Sequence, residues 1–149
     1  MAQPIMDAVI ESVPETGKWI TPAHVDYWLR RWAMGAGNTT PWSEEAGQVV
    51  VMGKLLHLAP VFERYAETYS RYVLRLVIEA INANSDAIFA VGGGWLYVLQ
   101  HIKRWYKEAK PAAALMTHED FPHLKSLSFI DVNLVGLINV ARFIENGEI

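Results

Sequence analysis

His118-Glu119-Asp120-Phe121-Pro122-His123 packs two imidazoles and two carboxylates into one short stretch, the residue types that could hold a metal ion. A zinc-protease motif needs two His four apart, so that both point from one helix face at the metal. Here they are five apart, and Pro122 disturbs the backbone between them. A loop metal site using His118, Asp120 and His123 is one reading. The simpler one is a helix N-terminus, with Thr117 as cap and Glu119 and Asp120 in the first turn. No Glu is followed three residues later by His, so the paired Glu-x-x-His site of dimetal bundles is missing. His57 and His101 lie beside apolar residues on expected helices and read as core or boundary histidines rather than haem ligands. No nucleophile elbow or convergent triad spacing is present. No metal, cofactor or catalytic residue is assigned, and the chain reads as more consistent with a binding protein than an enzyme.

Three other stretches carry distinctive chemistry. Gly92-Gly93-Gly94 followed by Trp95 matches neither Gly-x-Gly-x-x-Gly nor a Gly-Lys-Ser/Thr phosphate loop. Close helix packing explains it most simply. The functional alternative is a pocket or hinge at Gly92, Gly93 and Gly94, with Trp95 as one wall. Residues 101–110 interleave bases with aromatics, as single-strand nucleic-acid binders do. Lys103, Arg104 and Lys107 are therefore a candidate interaction surface, although bases near a helix C-terminus also complement its dipole. Tyr65, Tyr69 and Tyr72 stand at helical spacing. They form either a core stripe or a contact surface, because Tyr supplies large area at modest entropy cost.

The elements that would position these residues follow from apolar periodicity. Residues 60–84 place Val61, Phe62, Tyr65, Tyr69, Tyr72, Val73, Leu76, Val77, Ala80 and Ile81 along one helix face, with Pro60 suited to the first turn. Residues 86–110 repeat every three and four at Ile88, Val91, Trp95, Val98, Ile102, Trp105 and Ala109, a heptad rhythm that stays in phase across the glycines. Phase continuity predicts one helix, bent or weakened at the glycines, although their summed propensity cost is about 3 kcal/mol. A first helix is expected within residues 1–13, and a second after Thr21-Pro22, a strong start signal. Residues 43–59 are expected to be helical on the spacing of Val49, Met52, Leu55, Leu56 and Ala59, with a strand at Val49-Val50-Val51 as the competitor. Residues 111–126 are expected to be irregular or to hold a short helix near Ala112–Met116. A last helix is expected from about Ser126 or Ser128 to Asn146.

The fold class implied is all-α: an irregular bundle of five or six helices around a central antiparallel helical hairpin of residues 60–84 and 86–110, in a single domain over 1–149. Hydrophobic residues make up 52% and charged residues 19%, against typical values of about 45–50% and about 25%. That balance argues against disorder and fits either a well-filled core or an apolar surface patch reserved for a partner. The six Trp and six Tyr support carrying the second, since both types are enriched at interfaces. The net charge of −3 provides no overall field for nucleic acid. The absence of Cys removes disulfides, thiolate metal sites and cysteine nucleophiles. The N-terminal stretch lacks a basic region and does not read as a signal peptide, and no stretch reads as a membrane span. The expectation is a soluble cytoplasmic protein acting through contact with another protein or with itself. A small-ligand pocket or enzyme site near Gly92–Trp95 is the alternative reading, and a nucleic-acid-binding regulator the third.

Overall fold

The structure, a computed structural model, describes residues 2–35, 37–81, 86–90, 93–111, 113–122 and 124–125. The chain divides into two units, residues 1–73 and 74–149, and each is described on its own.

In the first unit, α1 (Gln3–Ser12) has a proline in its first turn and buries Ile5 and Val9, one helical turn apart on its inner face. A 3-10 helix at Pro14–Lys18 follows, where buried Thr16 donates its hydroxyl to the carbonyl of Val13 at 2.7 Å. The next helix, α2 (Pro22–Met34), starts and stops where Thr21-Pro22 and Gly35 place its ends. His24 Nδ1 accepts the backbone N–H of Thr21 at 3.1 Å, satisfying a donor just outside the helix. Val25, Trp28, Leu29, Trp32 and Ala33, spaced by one, three and four residues, form its buried apolar face.

Residues 43–59 do not form the expected helix. They contain an antiparallel hairpin of β1 (Gln48–Val51) and β2 (Lys54–His57). Met52 (φ 50°) and Gly53 (φ 77°) make a two-residue turn with both central φ angles positive, the kind whose twist matches paired strands. The pair Val49↔Leu56 is buried and the pair Val50↔Leu55 is exposed, so the hairpin has one face in the core. The β propensity of the valine run and the turn residues together overrode a helical spacing that both structures could satisfy. Gly47 then lets the chain double back: a Cβ there would lie 2.5 Å from the Cβ of Ala59.

The long helix α3 (Ala59–Ala80) begins in the first unit and continues into the second. Phe62 and Ala66 on its inner face are fully buried, and the Phe62 ring lies 5.7 Å from that of Trp32. Trp32 also meets Trp42 edge-on at 4.9 Å, which makes this aromatic cluster the centre of the first core.

The second unit corrects the expected helix over 86–110. Three elements replace it: β3 (Ala87–Phe89), a 3-10 helix at Gly93–Tyr97, and α4 (Leu99–Ala109). β3 pairs in parallel with β4 (Ala114–Met116) in the register Ala87↔Ala114, Ile88↔Leu115, Phe89↔Met116. A parallel pair needs a long crossover, and α4 lies within it. Among the described residues of this unit, Val77, Ala90, Val98, Ile102 and Ala113 are the buried apolar ones. No single helix runs from 86 to 110, in line with the low helix propensity of glycine, and Ile88, Trp95 and Ile102 of the in-phase pattern belong to separate elements. Neither reading of residues 111–126, irregular or a short helix near Ala112–Met116, included the strand that Ala114–Met116 form. Beyond it Thr117 caps a 3-10 helix at His118–Asp120, with the Thr117 N–H donating to Asp120 Oδ2 at 2.7 Å.

The chain is therefore not an all-α bundle of five or six helices around a helical hairpin of 60–84 and 86–110. Among the described residues it has four α-helices and two two-stranded sheets. The helix expected near 126–146 lies outside the described residues. No helix among those described is long and apolar enough to cross a membrane.

Candidate functional site

On the first unit, α1 and α3 wall a groove of about 970 Å³. Pro4 and Ala8 of α1 line one side; Pro60, Val61, Arg64, Tyr65, Thr68, Tyr69 and Tyr72 of α3 line the other. The α3 side chains recur at intervals of three and four, which aligns them along one face of the helix. The inward positions Phe62, Ala66 and Ser70 are buried, so the groove residues occupy a neighbouring strip that the core leaves uncovered.

The tyrosines form a ladder. Tyr65 and Tyr69 lie 6.1 Å apart with their rings only 8° from parallel, and Tyr69 and Tyr72 lie 6.4 Å apart at 30°. Tyr65 and Tyr69 are half-buried, and Tyr72 is exposed. Burial raises the pKa of Tyr65 above its ordinary 10.0, helped by Tyr69 beside it and the negative charge of Asp26. The phenol therefore stays protonated across the neutral range.

Among the described residues that line the groove, Arg64 is the one with a charged side chain. It has no ion pair among the described residues, and the reason lies in the spacing of charges along α3. Glu67, three residues on, pairs with Arg71 at 2.5 Å, and Arg75 pairs with Glu79 at 2.9 Å. Both pairs use the i, i+4 geometry that suits helices. At the corresponding positions Arg64 has Pro60 and Thr68. The Thr68 hydroxyl donates to the Arg64 carbonyl at 2.8 Å and leaves the guanidinium untouched.

The remaining sequence candidates occupy the second unit. Gly92 lies outside the described residues; Gly93, Gly94 and Trp95 fall in the 3-10 helix that leads into α4, with Gly94 and Trp95 half-buried. Lys103, Arg104 and Lys107 are exposed along α4, and Trp105 meets Tyr106 edge-on at 5.1 Å. Burial raises the Tyr106 pKa as well. His118 is buried and Asp120 is committed to the Thr117 cap, while His123 lies outside the described residues. Of the residues singled out in the sequence, the structure brings Tyr65, Tyr69 and Tyr72 together. Sequence reasoning missed Arg64, Thr68 and the α1 wall. The charge spacing that leaves Arg64 without a Glu at i±4 was visible, whereas the approach of Pro4 and Ala8 was not.

The chain matches no family model, no curated protein and no solved structure in comparisons with known proteins.

Proposed function

We propose that this is a non-enzymatic binding protein that works through protein–protein contact, taking a segment of another macromolecule into the α1–α3 groove. The observation that carries this reading is the tyrosine ladder, Tyr65, Tyr69 and Tyr72, along an open groove of about 970 Å³. Half-exposed aromatic side chains on a rigid helix offer large contact area at small entropic cost, which is how recognition surfaces use tyrosine. A ring exposed only for want of space in the core would not need two neighbours aligned with it.

Selection of random displayed octapeptides against the full chain tests the reading, with counter-selection on a Tyr65→Ala, Tyr69→Ala double variant whose circular dichroism matches the wild type. Enrichment of peptides that bind the wild type and lose at least tenfold in affinity on the double variant is the expected outcome. Peptides that bind both proteins equally, or no enrichment at all, would remove the groove as a protein-contact site.

A further inference from the structure

We infer that the cationic side of α4 binds single-stranded nucleic acid, with Lys103, Arg104, Lys107 and Lys110 on its phosphates and the Tyr106 ring against a base. This surface belongs to the second unit and is independent of the groove.

The first argument is the spacing of charge. On α2 and α3, Arg30, Arg71 and Arg75 each pair with an acid four residues away. On α4 none of the four cations makes an ion pair among the described residues, and Glu108 is the one acid of the helix. Lys103 and Lys107 stand four apart, and Arg104, Lys107 and Lys110 stand three apart. Those spacings make side chains neighbours on a helix, and like charges so placed destabilise it. The helix dipole accounts for Lys107 and Lys110 at the C-terminal end. Lys103 and Arg104 lie before the last turn, where that effect has fallen off. Four of the chain's 13 Lys and Arg thus crowd into residues 103–110 of a protein whose net charge is −3. A polyanion would relieve that crowding.

The second argument is sidedness. Ile102 is 0% exposed and marks the inner side of α4. At about 100° per residue, Lys103, Lys107 and Arg104 lie roughly 100°, 140° and 200° around from it. All three are exposed, so they share one outer side. Tyr106 borders the strip, roughly 40° from Ile102. Its hydroxyl is buried, so the ring and not the polar tip of this half-buried side chain reaches solvent. From Lys103 to Lys110 the strip runs about 10 Å at about 1.5 Å per residue, room for about three phosphates of one strand.

Cations beside an aromatic face select among polyanions. Phosphates on bases of the protein and nucleobases on aromatic rings are how single-strand sites are built. An acidic peptide satisfies the cations and leaves the ring unused. In a duplex the bases stack on one another and offer Tyr106 no free face. An anionic membrane takes up an amphipathic helix by its apolar side, and that side of α4 is closed into its own unit at Ile102.

The test is fluorescence polarisation of a labelled oligo(dT) of about 12 nucleotides, a usual single-strand site size, titrated with the full chain at low salt. Affinity should fall with salt at a log–log slope of about 2–3, which is about 0.7 per phosphate for three or four contacts. Lys103→Glu places an acid four residues before Lys107, the favourable orientation, so the unfolding midpoint should hold or rise while affinity drops about tenfold. Tyr106→Leu should lose about fivefold with the salt slope unchanged. Arg64→Gln, which removes an exposed cation from the first unit, should change affinity less than about twofold, as should the Tyr65→Ala, Tyr69→Ala pair. No binding at low salt, or equal losses on Lys103→Glu and Arg64→Gln, would overturn the inference and leave the groove untouched. A duplex that binds as tightly as oligo(dT), with Tyr106→Leu silent, would make the strip a backbone site without base contact. Tighter binding of a polyglutamate peptide would give it to an acidic protein. Sedimentation with phosphatidylserine vesicles, lost on Lys103→Glu and without any oligo(dT) binding, would give it to a membrane.

Discussion

The β1–β2 hairpin and the first half of α3 are consecutive in the chain, and both leave apolar side chains uncovered. They do so differently. Val50 and Leu55 face each other across the hairpin and stand 69% and 49% exposed, with Met52 at the turn 63% exposed. On α3, Tyr65 and Tyr69 are half-buried and stacked on one another, Tyr72 is 55% exposed, and Arg64, with no ion pair among the described residues, lines the same groove. The hairpin face is what remains when one side of a two-stranded sheet packs on a core and no described residue covers the other. The α3 strip has concavity, aligned rings and a charge. Exposure alone therefore separates the two poorly, since scattered apolar residues are normal on protein surfaces.

The sharpest way to break the contrast is on α3 itself, where inner and outer strips share one helix. Phe62→Ala removes a fully buried ring from the cluster with Trp32 and should cost about 3–5 kcal/mol. Tyr69→Ala, on the outer strip, should cost less than about 1 kcal/mol while removing ligand binding. Denaturant titration of the two variants measures this. Comparable losses would mean that the tyrosine ladder is core in function as well as in spacing.

The hairpin responds to its backbone more than to its side chains. Gly47→Ala puts a methyl group against the backbone and Cβ of Ala59, at 2.7 and 2.5 Å, and should cost about 2–3 kcal/mol through overpacking. At Gly53 nothing lies near the new Cβ, so Gly53→Ala pays only for its positive φ, about 1–2 kcal/mol. Met52→Asn should reverse the sign and add about 0.5 kcal/mol, because Asn tolerates the left-handed conformation that Met52 already holds. A ranking in which Gly53→Ala cost more than Gly47→Ala would show that the turn, and not the close approach to Ala59, holds the hairpin.

These glycines also explain what could be read in advance. The helix α1 was expected from its apolar spacing alone, whereas α2 was legible because a cap, a proline and a 3.6-residue period all agreed there. At residues 43–59 they disagreed. The spacing of Val49, Met52, Leu55 and Leu56 fits a helix, and the same residues alternate well enough for paired strands. Only Met52-Gly53 as a turn decides between them, and Met is a poor advertisement for a positive φ. At residues 86–110 the heptad pattern concealed a strand, a 3-10 helix and an α-helix, against which only the low helix propensity of glycine spoke. The parallel pairing of Ala87–Phe89 with Ala114–Met116 joins residues 27 apart, a register that local periodicity does not encode. The tyrosine stripe was visible in the candidate site. Its exposure was not, because a ring facing solvent and a ring facing a core have the same spacing.

The smallest expected effect concerns the groove's half-desolvated wall. Burial, with Tyr69 and Asp26 adding to it, raises the Tyr65 pKa above 10.0 in the folded protein. Below about pH 10 the phenol is protonated in both folded and unfolded chains, so its contribution to stability is complete and constant. Above that pH the unfolded chain loses its proton first, which favours unfolding, and the contribution falls until the folded phenol also ionises. Stability should therefore decline from about pH 10 upward, and Tyr65→Phe should make that decline shallower. Unfolding midpoints measured at pH 8.5, 10 and 11, roughly spanning the usual tyrosine range, read the difference between the two slopes. Equal slopes would mean that water reaches the Tyr65 hydroxyl as freely in the folded protein as in the unfolded chain. The groove wall would then be as open as the outer face of the hairpin, and the distinction between the two regions would rest on Arg64 alone.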